Sequence, residues 1–125
     1  NSTLAGHVEI NDYAILGGFT GVHQFCRLGE SSFSAISTII VKDIPPFVMV
    51  SGNTARARGI NKVGMKRRGF GQEDIEAVKK SYRIMYRRSL TTSSALEELE
   101  KEVGASPVVA KIHSFVMEST RGIVR

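Results

Sequence analysis

The sequence predicts a parallel β-helix followed by a small α-helical subdomain. Three observations predict it: an aliphatic residue at nearly every sixth position from Leu4 to Ile40, a small or β-branched residue four places after each, and helical spacing beyond residue 70. A fixed period of six fits neither the 3.6-residue period of a helix nor the two-residue period of a strand. Counted from Leu4, the hexads read LAGHVE, INDYAI, LGGFTG, VHQFCR, LGESSF, SAISTI and IVKDIP. Their first positions are Leu4, Ile10, Leu16, Val22, Leu28, Ser34 and Ile40, and their fifth positions are Val8, Ala14, Thr20, Cys26, Ser32, Thr38 and Ile44. Three hexads close one triangular coil, with the aliphatic side chain in the shaft and the small one where the corner leaves little room. Glycines 6, 17, 18, 21 and 29 are expected at those corners because glycine tolerates φ > 0.

The remaining elements follow in order. Pro45 and Pro46 lack ladder donors and are expected to stop the coil, with Phe47 to Val50 forming one last short strand, so that the β-helix occupies residues 1–51. Residues 52–70 read as a loop, and 71–125 as the helical subdomain. Gln72 to about Arg88 places Ile75, Val78, Tyr82, Met85 and Tyr86 on one face, with Glu73, Asp74 and Glu76 where the helix dipole favours acids. Ser93 or Ser94 can cap a second helix that turns Ala95, Leu96, Leu99 and Val103 inward. Ser106, with Pro107 at the first helical position, starts a third that carries Val109, Ile112, Phe115 and Val116. At the other end, Asn1, Ser2 and Thr3 already fill the last three places of a hexad. Solenoids normally carry a capping repeat, so the expectation is the C-terminal part of a longer chain whose first coil presents an open β edge.

Composition limits the function classes. With 42% hydrophobic and 23% charged residues, the 125-residue chain fits one ordinary globular unit. No stretch approaches the roughly 20 apolar residues of a membrane span, and no leader pattern heads the sequence, so a cytoplasmic location is expected. The single Cys26 has no partner for a disulfide and reads as a small buried residue. Of the 17 basic residues, Arg56, Arg58, Lys62, Lys66, Arg67, Arg68, Lys79, Lys80, Arg83, Arg87 and Arg88 lie in one segment, against only Glu73, Asp74 and Glu76. That imbalance calls for an anionic partner: a phosphorylated metabolite, an acidic protein or nucleic acid. No aromatic residues interleave with Arg56 to Arg68 for base stacking, so nucleic acid is not expected.

The repeat resembles the hexapeptide-repeat acyltransferases, whose coils wind left-handed; period alone carries no hand. The stretches LAGHV, GVHQFC, the run Gly59, Asn61, Gly64, Lys66, Arg67, Arg68, Gly69, Phe70, and the terminal STRGIVR resemble one family among them. These are the UDP-N-acetylglucosamine O-acyltransferases, and the resemblance covers essentially the whole chain. It implies transfer of an R-3-hydroxyacyl chain from acyl carrier protein to the glucosamine 3-hydroxyl as the first step of lipid A synthesis. It further implies a homotrimer with sites between neighbouring β-helices, and no cofactor or metal beyond the donor's phosphopantetheine.

The repeat stacks Gly6 beneath Gln24, with His7 and His23 within a residue of that column and about 4.8 Å between coils. By resemblance, the Gly6 backbone N–H is the oxyanion donor, a contribution worth about 3 kcal/mol in such reactions. His7, His23 and Gln24 match positions that contact acyl donor or sugar nucleotide, and Asn61, Arg67 and Arg68 match nucleotide-contacting positions. Ile36 matches the position that ends the acyl groove, where its bulk implies a shorter chain; packing in the core is its alternative. Lys79, Lys80, Arg83, Arg87 and Arg88 are candidates for the carrier-protein contact, whereas His113 lies outside every motif.

Two departures from the family pattern matter. The acidic residue expected two places after the asparagine is Val63, which accepts no hydrogen bond and puts nucleotide preference in question. The family's general base is a histidine one coil before LAGHV with an adjacent aspartate, and neither lies in this chain, which by itself is expected to be inactive. Competing readings are an N-acyltransferase of the same pathway, disfavoured by the KRRGF run, and a non-catalytic trimeric β-helix binding module. A zinc β-helix hydratase would need three histidines, of which His7 and His23 supply two.

Overall fold

The computed structural model describes residues 1–125. Seven two-residue strands follow one another at six-residue intervals: β1 (Thr3–Leu4), β2 (Glu9–Ile10), β3 (Ile15–Leu16), β4 (Gly21–Val22), β5 (Arg27–Leu28), β6 (Phe33–Ser34) and β7 (Ile39–Ile40). β1, β2, β3 and β4 each pair in parallel with the strand three further on, Thr3 opposite Gly21 and Glu9 opposite Arg27, so one coil takes 21 − 3 = 18 residues. The strands thereby build a prism with three faces: a first sheet of β1, β4 and β7, a second of β2 and β5, and a third that begins with β3 and β6. Leu28 and Ile40 are fully buried in the shaft, whereas Leu4 and Ile10, with no coil beneath them, are 46% and 40% exposed.

The corners differ from expectation. The left-handed conformation falls on His7, Tyr13, Phe19, Phe25, Ser31, Ser37 and Phe47, with φ between 52° and 65°, and not on glycines 6, 17, 18, 21 or 29. Gly17 and Gly29 are needed for a different reason. A Cβ on Gly17 would lie 2.6 Å from the Ala35 carbonyl carbon, and one on Gly29 would run into the Pro45–Pro46 backbone.

The prolines do not stop the coil. Ile44 bridges to Leu28, and β8 (Val48–Ser51) pairs in parallel with β6, Phe33 opposite Met49. The offset there is 49 − 33 = 16, two fewer than below, so the shortening falls between Ile40 and Ile44. Ile44 therefore takes a first position in the shaft, not the fifth that simple counting assigns.

Residues 52–70 are not a loop. The chain reverses through Gly52–Ala55 into β9 (Arg56–Ile60), antiparallel to β8, and then into α1 (Lys62–Arg67). Asn61 starts α1 by accepting the Gly64 N–H at 3.0 Å, and Met65 is buried beneath it.

The helices follow their sequence periods. α2 (Gln72–Tyr86) buries Ile75, Val78, Tyr82 and Met85, and also Ile84. α3 (Thr92–Glu102) is capped by Thr91 rather than Ser93 or Ser94, because the Thr91 hydroxyl accepts the Ser94 N–H. α4 (Pro107–Met117) is capped by Ser106 as its sequence predicts, and that hydroxyl also donates to Asp74 at the start of α2. No helix is long and apolar enough to cross a membrane.

A single hydrophobic core of 24 buried residues runs from Val22 in the shaft to Val124, so the helices share the core of the β-helix instead of forming their own. The chain end completes the join. Ile123 bridges to Asp43, whose buried carboxylate accepts the Arg27 N–H at 2.8 Å and the Ser119 hydroxyl at 2.6 Å.

Candidate functional site

The three edges of the prism carry three separate groups of predicted residues. Between the first and second sheets lie Gly6, His7, His23 and Gln24, all exposed, in two successive coils. The Gly6 N–H donates to no group in the chain, and a Cβ at Gly6 would meet nothing within 4 Å. His7 stacks on Phe25 of the next coil, centroids 4.9 Å apart and rings 4° from parallel. The edge thus presents a free amide, two imidazoles and a carboxamide, the residue types that hydrogen-bond a developing oxyanion and a polar substrate.

The edge between the second and third sheets carries a cavity of about 440 Å³. Its floor is the outer side of the third sheet, with Ile15, Phe33 and Met49 in successive coils, and α1 closes it with Val63 and Arg67. Tyr13 and Arg68 form the remaining wall. Arg67 makes no ion pair or hydrogen bond and is exposed, so its guanidinium is available to an anion. Arg68 is already engaged: Nη1 donates to Glu30 at 2.6 Å and to Ser31 Oγ at 2.8 Å, and the guanidinium lies 3.9 Å from the Tyr13 ring centroid and 4.9 Å from that of Phe70. Asn61 is only 6% exposed, and both ends of its amide are used: Oδ1 caps α1 and Nδ2 donates to the Ser31 carbonyl at 2.9 Å. Its demonstrable work is to hold α1 over the cavity.

Ile36 sits on the third edge, above Gly18, and is 70% exposed. That excludes a place in its own core and leaves it free to meet another molecule. His113 is half-buried on α4 and lines none of the cavities at the edges.

The basic residues of α2 do not form one surface. Lys79, Arg83 and Arg87 line a groove against Gly59 and Ile60 of β9, with Tyr82 at its base. The ammonium groups of Lys79 and Lys66 hold Lys62 below the ordinary lysine range, a measure of how much positive charge gathers there. Lys80 points the other way and pairs with Glu102 at 2.8 Å, so it leaves the set; Arg88 lies past the helix end. Burial pushes the Cys26 thiol up, which keeps it protonated and inert.

Sequence reasoning missed Tyr13, on the cavity wall, and Glu30, which lies behind Arg68 outside it. Tyr13 and Glu30 each precede or occupy a left-handed corner, where the repeat constrains neither side chain, and their one signal is that Tyr13 stacks 18 residues below Ser31.

Six-residue repeats wound into 18-residue coils, with a helical subdomain wrapped onto the last coil, define a hexapeptide-repeat protein. The sequence profile of domain 2 of the UDP N-acetylglucosamine O-acyltransferases matches residues 43–124. The acyl-[acyl-carrier-protein]–UDP-N-acetylglucosamine O-acyltransferases of Stutzerimonas stutzeri and Thiobacillus denitrificans are 50% and 47% identical over all 125 residues. Crystal structures of the UDP-N-acetylglucosamine acyltransferases of Francisella novicida and Bacteroides fragilis superpose with a TM-score of 0.95 at 40% identity, covering 99% of this chain and 46% and 49% of theirs. The chain belongs to the UDP-N-acetylglucosamine O-acyltransferase family. It spans 48% of the length of the curated relatives it matches.

Proposed function

We propose that the protein containing this chain transfers an R-3-hydroxyacyl group from the phosphopantetheine of acyl carrier protein to the 3-hydroxyl of UDP-N-acetylglucosamine, opening lipid A synthesis. The observation that carries the reading is identity of about one half across every one of the 125 residues to enzymes bearing that name. The geometry agrees with it. Gly6 has an undonated amide for the thioester oxyanion, and His7, His23 and Gln24 surround it with polar contacts. The cavity under α1 takes the nucleotide, with Arg67 on its phosphates through charge-assisted bonds. Because the predicted residues occupy three edges of one prism, a site that uses them all joins edges of different copies, which supports a homotrimer. Ile36 then faces the acyl chain across that junction. The coils wind left-handed, and the groove of Lys79, Arg83 and Arg87 receives the acidic carrier protein.

Calorimetric titration of UDP-3-O-(3-hydroxyacyl)-N-acetylglucosamine into this chain tests the reading, with free UDP and double-stranded DNA as comparisons. Saturable binding of the product, weakened about tenfold in Arg67→Ala for loss of a charge-assisted contact, is expected. No binding by a folded, trimeric chain sinks it.

A further inference from the structure

The KRRGF run puts two arginines side by side at the end of α1, and the structure treats them oppositely. Arg67 lines the cavity and has no partner; Arg68 lines it too, but its charge is turned back into the protein. The group behind Arg68 is Glu30, mostly buried, which faces two cations on separate elements: Arg68 Nη1 at 2.6 Å and Lys111 Nζ of α4 at 3.0 Å. Glu30 itself is not part of the cavity wall. It lies between that cavity and the groove on the other side, where Lys111 sits. Ser31 and the rings of Tyr13 and Phe70 fix the same guanidinium, so leaving to meet a ligand would strip it of a charge-assisted bond, a hydroxyl and two aromatic contacts together.

We infer that Glu30 is a positioning residue that keeps the Arg68 charge inside the protein, so that Arg67 is the cation the cavity offers to an anionic ligand and the Glu30 carboxylate sets how tightly that anion is held. The inference deepens the reading of the cavity as the nucleotide-phosphate site and rests on it. Arg68 acts as wall: it shapes the cavity and contributes little net field, because a carboxylate lies directly behind it.

The consequence has an unusual sign, since removing a partly buried carboxylate should improve binding. Inorganic pyrophosphate, titrated into the folded chain at low salt, is the probe. Glu30→Gln keeps the shape and releases one unit of positive charge several ångströms from the anion, so binding about fivefold tighter is expected. That gain fades toward 1 M salt, where the Debye length is about 3 Å. The charge-neutral double variant Glu30→Gln/Arg68→Gln should bind within about twofold of the wild type, while Arg67→Gln loses about tenfold. A structural prop would give weaker binding in Glu30→Gln, which overturns the inference, as does a double variant as impaired as Arg67→Gln, or an absence of pyrophosphate binding throughout. Should Glu30→Gln alone fail to fold, the double variant decides. The pyrophosphate pattern without sugar-nucleotide binding sinks the acyltransferase reading and leaves Glu30 its role; product binding with a crippled double variant does the reverse.

Discussion

Seven corners place an ordinary side chain in the left-handed region, four of them aromatic and one a histidine, at a backbone cost of roughly 1 kcal/mol each. The stack of His7 on Phe25 shows how part of that cost is offset by contact between coils. Glycine is kept for crowding instead. A Cβ on Gly29 would collide with the Pro45–Pro46 backbone, which cannot yield as a side-chain end would. Gly29→Ala should therefore lose about 2–3 kcal/mol in urea denaturation, whereas Gly6→Ala, with open space around it, should change stability by only a few tenths. Ile36 separates stability from function in a similar way. It is exposed, so Ile36→Gly should move the melting temperature little. On the proposed reading of Ile36 as the end of the acyl groove, each methylene of space opened recovers about 0.8 kcal/mol of burial, and the full-length protein should shift toward longer acyl donors in a chain-length series. An unchanged preference would remove Ile36 from the acyl groove.

The six residues of α1 are too few to be stable alone, and the helix exists because its two ends are fixed. Asn61 caps it, Met65 anchors it, and Gly64 lies between them. Alanine normally gains about 1 kcal/mol over glycine inside a helix. Here a Cβ on Gly64 would strike the Asn61 side chain, with Cγ 2.8 Å away, and push it off the cap. Gly64→Ala should thus destabilise by about 1 kcal/mol, the worth of an N-cap, reversing the usual sign; a stabilised variant in thermal melts would refute the cap's importance. The same residues explain what the sequence shows of its elements. α2, α3 and α4 are legible because each carries a full apolar face, and Ser106–Pro107 marks a start unmistakably. β9 and α1 are illegible because Gly59, Gly64 and Gly69 interrupt every period, and their stability comes from β8 and the Ser31 carbonyl, which no local pattern announces. The shortened coil hides for another reason. Ile44 satisfies the fifth-position rule by being β-branched while actually filling a first position over Leu28. In the site, the polar edge is legible from stacking arithmetic, but Glu30 is not, since its partners lie 38 and 81 residues away.

The whole molecule is one core with two kinds of attachment between coils and helices. Apolar burial is continuous, and charged groups pin α4 across the second sheet. Arg27 bonds Glu9 at 3.0 Å, donates to the Phe115 carbonyl and lies 4.2 Å from that ring's centroid, while Glu30 reaches Lys111. The pins make attachment sensitive to acid. Burial pushes the Glu30 carboxyl up, but hydrogen bonds from Arg68 and Lys111, helped by their charges, outweigh it and hold the group below the usual glutamate range. A carboxyl with a lowered native value favours the folded state at every pH above its unfolded value, near 4.3, and that contribution is lost as pH falls through the lowered value. The groups facing Glu30 are the Arg68 guanidinium and the Lys111 ammonium. Melting temperature should therefore fall between about pH 4.3 and the lowered value more steeply in the wild type than in Glu30→Gln, with the two curves converging in strong acid. Parallel curves would mean that Glu30 pairs as readily in the unfolded chain, and that α4 is held to the coils by its apolar face alone.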